Sequence, residues 1–213
     1  MHLPPAKEGS SCIADACLVG WRSRVRAAGP RNGAWQAGGM LENLSLPVVL
    51  DSRLGPVTLR RASAEDLDSL MMLLSDDAVS AARGDVASET DRPAYLWALQ
   101  QIISDPANEL LLAIDEEQRV LGTMQLTRIP GMAQRGIARL LVEAVRVQSD
   151  ARSAGIGSAM IRWVTDVAAA ALDVGLVQLT SDAVRTDAHR FYERLGFVAS
   201  HVGFKYQLPS ASR

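Results

Sequence analysis

From Val145 to Ser158 the chain runs Val-Arg-Val-Gln-Ser-Asp-Ala-Arg-Ser-Ala-Gly-Ile-Gly-Ser: an apolar strand end, a short polar loop and a helix that opens on two glycines. The first turn of a helix leaves backbone N–H groups without intrahelical partners and carries a partial positive charge, which together suit a phosphate. Gly155 and Gly157 let such a ligand approach the main chain closely. Arg152 places a cation at the rim and Ser158 adds a donor, with Ser153, Ala154 and Ile156 completing the turn. The spacing is not a dinucleotide fingerprint, because Met160 stands where a third glycine is required, and it lacks the Gly-Lys-Ser/Thr ending of a P-loop. Two residues ahead of Val145, Glu143 interrupts an apolar run. A carboxylate there is costly to bury unless it is partnered or functional. A solvated face or a pairing with Arg139 are the alternatives. His189 and His201 are candidates for substrate binding or proton relay, against a plain surface or packing role. No two histidines share one element at metal-ligand spacing, so no metal site is expected.

The elements that must position these groups follow from periodicity. Val57 to Ala62 alternates as a half-buried strand. Ser63 opens a helix, with Asp66 at the capping-box position and Leu67, Leu70, Met71 and Leu74 at helical spacing; the Met71-Met72 pair reads as helix core. A second helix begins near Asp91 with Pro93 in its first turn, and Tyr95, Leu96, Leu99, Ile102 and Ile103 form its apolar face. Glu109 to Ile114 and Val120 to Ile129 make a hairpin, and Ile137 to Val147 is a longer, mostly apolar central strand. Gly155 to Leu172 is a helix with Ile156, Met160, Ile161, Val164, Val167, Ala168 and Ala171 turned inward. Leu176 to Thr180 is a short strand, Asp187 to Leu195 a helix stopped by Gly196, and Phe197 to Leu208 a last strand. The order predicts an α/β (α+β) domain, a mixed sheet with helices on both faces.

Arg152-x-x-Gly155-x-Gly157 resembles the acyl-CoA pyrophosphate loop of the GNAT superfamily of N-acetyltransferases. Ala188-His-Arg-Phe-Tyr-Glu-Arg-Leu-Gly-Phe197 is similar to that superfamily's second signature, about 35 residues further on, across one helix and one strand. The resemblance covers residues 57–208. It implies a mostly antiparallel central sheet, acetyl-CoA as co-substrate, and Val145 and Val147 holding the pantetheine arm through their backbone groups. It also implies a general base on the central strand, for which Glu143 is the candidate, and Tyr192 as the general acid beside the departing sulfur. Within the family, Arg185 to Tyr192 followed by Ser200-His201 is similar to aminoalkylphosphonate acetyltransferases. Those enzymes are His-rich before the central strand, whereas Gln125 to Gly136 contains no histidine.

Composition bounds the rest. The chain has 213 residues, 48% hydrophobic and 22% charged, which is ordinary globular usage. A net charge of -2 and 5% aromatics argue against nucleic acid as a partner. No apolar run reaches the roughly 20 residues of a membrane span. Cys12 and Cys17, without a disulfide framework, and the lack of a secretory signal pattern fit a reducing cytoplasm. Residues 1–40 hold five Lys or Arg against two acids, with six Gly and no periodicity, and read as a poorly ordered N-terminal extension. Two alternatives are a start at Met40 and a small helical cap packing through Trp21 and Trp35. Residues 41–56 read as a lead-in, 57–208 as the N-acetyltransferase domain, and 209–213 as a tail. The expected function is acetyl transfer from acetyl-CoA to the primary amine of a small molecule in a direct ternary complex. The domain has no Cys for an acetyl-enzyme. The alternatives are a non-catalytic acyl-CoA-binding module and a protein or peptide acetyltransferase. A homodimer is a common assembly in the family.

Overall fold

The computed structural model describes residues 40–208 apart from Arg83, Asp85 and Gln207. The expectations for residues 1–39 and 209–213 lie outside the described residues. Six strands form one sheet in the order β1-β2-β3-β4-β5-β6: Val48–Ser52, Gly55–Arg61, Asn108–Ile114, Val120–Ile129, Arg139–Val147 and Leu176–Leu179. The first four pairings are antiparallel and β5–β6 is parallel. The helices are α1 Leu67–Ser75, α2 Ala78–Ala81, α3 Arg92–Ser104, the single turn α4 Ala133–Gly136, α5 Ile156–Trp163, α6 Ala169–Ala171 and α7 Thr186–Arg194. Among the described residues, no helix is long and apolar enough to cross a membrane.

The sheet is buried on both faces, and β3 shows why its run from Leu110 to Ile114 is continuously apolar rather than alternating. Leu111 and Ala113 join a core with Met124, Leu140, Val142, Ile156, Met160 and Ile161, on the face covered by α5. Leu110, Leu112 and Ile114 point the other way, into a core with Leu67, Leu70, Met71 and Leu99 from α1 and α3. Met72, expected in the core, is 61% exposed, because only one of two successive helical residues can face the sheet. Ile103 is likewise exposed at the end of α3.

The segment 41–56, read as a lead-in, is part of this domain. Leu41–Asn43 forms a 3-10 turn that buries Leu41 and Leu44 in the first core, and β1 pairs with β2. Arg61 fastens it. One of its terminal nitrogens donates to the carbonyls of Leu41, Glu42 and Leu44 at 3.0–3.1 Å, while its Nε donates to Glu109 at 2.7 Å. Leu41 is 1% exposed. Leu41→Ala is therefore expected to cost about 2–5 kcal/mol, read as a lower denaturation midpoint at unchanged m-value.

Two further departures concern the second half. The helix from Ile156 passes through a π turn, Val164–Ala168, before α6. The extra residue per turn stretches the buried spacing to Met160, Val164, Ala168 and Leu172, and turns Val167 out to solvent. Phe197 to Leu208 forms no strand among the described residues. Val198, Val202, Phe204, Tyr206 and Leu208 are exposed. Alternation records which face a strand would bury. A strand also needs a ladder, and this segment makes none with β6.

Candidate active site

The two parallel strands part company midway. β5 and β6 pair from Arg139↔Leu176 to Val142↔Leu179 and no further, while β5 continues to Val147. Glu143 to Val147 thus present a strand edge facing a gap. At the mouth of the gap β5 carries a bulge, since Gln125 pairs with Glu143 but Thr123 pairs with Arg146, leaving Met124 of β4 against Ala144 and Val145 of β5. Ala144 takes the extra position with φ 51°. A bulge sharpens the local twist and re-aims the side chains beyond it. Val145 and Val147 consequently pack on the α5 side. Gly122 makes the close approach of β4 possible, because a Cβ there would lie 2.8 Å from the carbonyl oxygen of Arg146.

The loop after β5 ends in the first turn of α5. Gln148 donates its N–H to Leu121, Ser149–Ala151 makes a 3-10 turn, and Ser153 and Gly155 are left-handed at φ 63° and 92°. No backbone N–H from Ser153 to Ser158 donates to another described residue. This is a row of orphan donors at a helix N-terminus, partly exposed, and a turn with left-handed residues groups such donors into an anion-binding concavity. The loop is braced from outside. Ser149 N–H donates to the Asp76 carboxylate at 2.7 Å, and Arg53 N–H to the Ala154 carbonyl at 2.8 Å. Arg152 turns back onto the protein. Its Nε donates to the Val147 carbonyl at 3.1 Å and Nη2 to the Asp76 carbonyl at 3.4 Å. A Cβ on Gly157 would touch Phe191 and Val147 at 3.5 Å, so the glycine keeps the helix face open toward α7 and the end of β5.

α7 supplies the opposite side. Tyr192 is half-buried, edge-on to Phe191 and Phe197 with ring centres 5.0 and 5.8 Å away. Burial pushes its phenol above the ordinary tyrosine value, and the positive charge of Arg185 pulls it back. Arg185 forks onto Asp77, donating Nη1 to Oδ1 at 2.8 Å and Nη2 to Oδ2. Ser80 donates its N–H to the same carboxylate at 3.0 Å and accepts from Arg146 of β5 at 2.9 Å. Burial of Asp77 opposes its charge, but the hydrogen bonds from Arg185 and Ser80 outweigh it and hold the carboxyl well below the ordinary aspartate range. A depressed folded value means that this stabilisation is complete above the unfolded pKa of about 3.9 and lost as pH falls through the folded one. The melting temperature should therefore decline on acidification below about pH 5, and more shallowly in Asp77→Asn.

The remaining expected residues are spread. Glu143 is exposed at the mouth of the gap, one residue before the bulge, so the burial cost expected of it does not arise. His189 is half-buried on α7, its Nε2 2.9 Å from the Asp182 carbonyl. His201 lies on the exposed segment after α7, its Nδ1 2.8 Å from the Ser200 hydroxyl. Asp77, Ser80 and Arg185 escaped the sequence reading. Arg185 stands in the quoted motif stretch, but nothing in sequence joins it to an aspartate 108 positions earlier.

Residues 69–197 match the model of the acetyltransferase (GNAT) family. The chain belongs to the GNAT acetyltransferase family. It is an acyltransferase with the GNAT fold. The structure is similar to a transcriptional regulator from Bacillus halodurans C-125 at 37% identity and a TM-score of 0.65, over 71% of this chain and 99% of that one. It shares its fold with glucosamine-6-phosphate N-acetyltransferase from Arabidopsis thaliana, at 14% identity and a TM-score of 0.58, over 72% and 99% of the two chains. The same holds for ribosomal-protein-alanine N-acetyltransferase from Brucella melitensis, at 21% identity and a TM-score of 0.55, over 71% and 99%. No curated protein matches the chain.

Proposed function

We propose that this GNAT enzyme transfers acetyl from acetyl-CoA directly to the primary amine of a small molecule. The observation that carries the reading is the conjunction of the β5 stretch Glu143–Val147, which runs on past its pairing with β6, with the unbonded N–H groups of residues 153–158 among the described residues. The N–H groups suit the two phosphates of the pyrophosphate, and the stretch of β5 at Val145 and Val147, beyond its pairing with β6, suits an amide-bearing arm laid alongside as an added strand. Arg152 holds the loop in shape and contributes its charge beside it.

The reaction breaks a C–S bond and forms a C–N bond. Attack needs a neutral amine, so Glu143 takes the ammonium proton, directly or through a water at the exposed mouth of the gap. The nitrogen lone pair forms the new amide bond while the C–S pair leaves with sulfur. Tyr192 gives its phenolic proton to that sulfur, so the products are an acetamide and a free thiol. The acylated nitrogen sheds its surplus proton, through water, to the Tyr192 oxygen, and Glu143 releases the ammonium proton to solvent, so both groups are reset. His189 and His201 are assigned to substrate contact.

Direct transfer has its own test. After incubation with acetyl-labelled acetyl-CoA and no acceptor, the protein should carry no covalent label by intact mass. An acetyl adduct that chases into added amine would replace the ternary mechanism with a covalent one.

A further inference from the structure

The carboxylate of Asp77 and the guanidinium of Arg185 take no part in the proton transfers above, yet they join the two sides of the gap. Asp77 stands between α1 and α2, is 9% exposed, and is met by both terminal nitrogens of Arg185. The same corner is tied to β5 through Ser80 and Arg146. Arg185 immediately precedes α7, and Tyr192 follows it by seven positions, close to two full turns at 3.6 residues per turn. Arg185 caps that helix with non-helical angles, its carbonyl accepting the His189 N–H at 3.1 Å, and no described residue hydrogen-bonds the Tyr192 hydroxyl.

We propose that Arg185, held in place by Asp77, is a positioning residue for Tyr192: it anchors the start of the helix that carries the phenol and presents a fixed positive charge to it. The fork fixes the guanidinium, since two parallel bonds define its plane as one bond does not. A fixed cation at the start of that helix stabilises negative charge arising at the phenol oxygen or at the sulfur beside it. It also makes the phenol a stronger acid toward a thiolate, whose conjugate acid is near 8.5 against about 10 for tyrosine. The charged and titratable groups on the surrounding elements include Asp77, Glu143 and Arg146, the Asp182 carboxylate before α7, and Asp187, His189, Arg190, Glu193 and Arg194 on α7. Arg185 is the group whose charge opposes the effect of burial on Tyr192. The inference rests on the reading of Tyr192 as the acid.

The test needs neither CoA nor acceptor, so it stays readable if that reading fails. The full chain, labelled at tyrosine Cζ with ¹³C, is titrated by NMR, and the Tyr192 resonance is assigned with Tyr192→Phe. Arg185→Gln removes the charge and should move the Tyr192 midpoint up. Arg185→Lys keeps the charge but not the fork, and should leave the midpoint at or near that of the wild type. Both variants should melt at a lower temperature. A purely structural pair would instead move the midpoint together with the melting temperature, alike in both. If Arg185→Gln does not fold, the neutral Arg185→Met carries the same expectation. An unchanged midpoint in the neutral variant, or equal shifts in the neutral and lysine variants, overturns the proposal.

Discussion

Gly157→Glu should abolish CoA binding, measured by calorimetry on protein whose circular dichroism shows a native fold. The substitution acts in two ways. Its stem meets Phe191 and Val147, which a Cβ alone already touches at 3.5 Å. Its carboxylate then stands among N–H groups that, on the proposed reading, receive phosphates, and repels them. Gly157→Ala is the control. A contact of 3.5 Å is ordinary van der Waals distance, so the methyl should cost CoA affinity far less. Unchanged affinity in the glutamate variant would place the pyrophosphate elsewhere on the molecule.

Tyr192→Phe should lower kcat by on the order of 10²-fold or more and leave the KM for acetyl-CoA in place. The ring is what packs against Phe191 and Phe197, and the phenylalanine keeps it. The hydroxyl has no hydrogen-bond partner among the described residues, so its removal should barely touch stability. A structural tyrosine would show the reverse, a changed melting temperature with wild-type turnover. That outcome would leave water or another side chain to protonate the sulfur.

The strand-to-helix turn at Gly155 and Gly157 and the helix that carries Tyr192 were legible because each is local. Two glycines at a strand-to-helix turn and Phe191-Tyr192 before Gly196 declare their backbone within a dozen residues. Both cores were legible in outline from period, including the continuous apolar run of β3. What escaped depends on other elements. The bulge falls on Ala144, an ordinary residue forced left-handed by the register of β4, and no residue type announces it. The π turn shifts burial by one residue without any change in composition. The 41–56 segment looked unpatterned because its order comes from Arg61, many residues away, gathering three of its carbonyls. The Asp77–Arg185 fork has the same character. Alternation at Phe197 to Leu208 misled in the other direction, since it promises a face but not a partner.

The central claim is that the gap performs acetyl transfer to an amine. Release of free thiol from acetyl-CoA tests it most directly, followed against a panel of small amines, aminoglycosides, aminophosphonates, polyamines and peptides. The account predicts amine-dependent release well above spontaneous hydrolysis for at least one small amine, with one acetamide formed per thiol and the signal lost in Gly157→Glu. Tight CoA binding with no acceptor raising release above the hydrolysis rate would contradict it, and would make the gap an acyl-CoA-binding site without turnover.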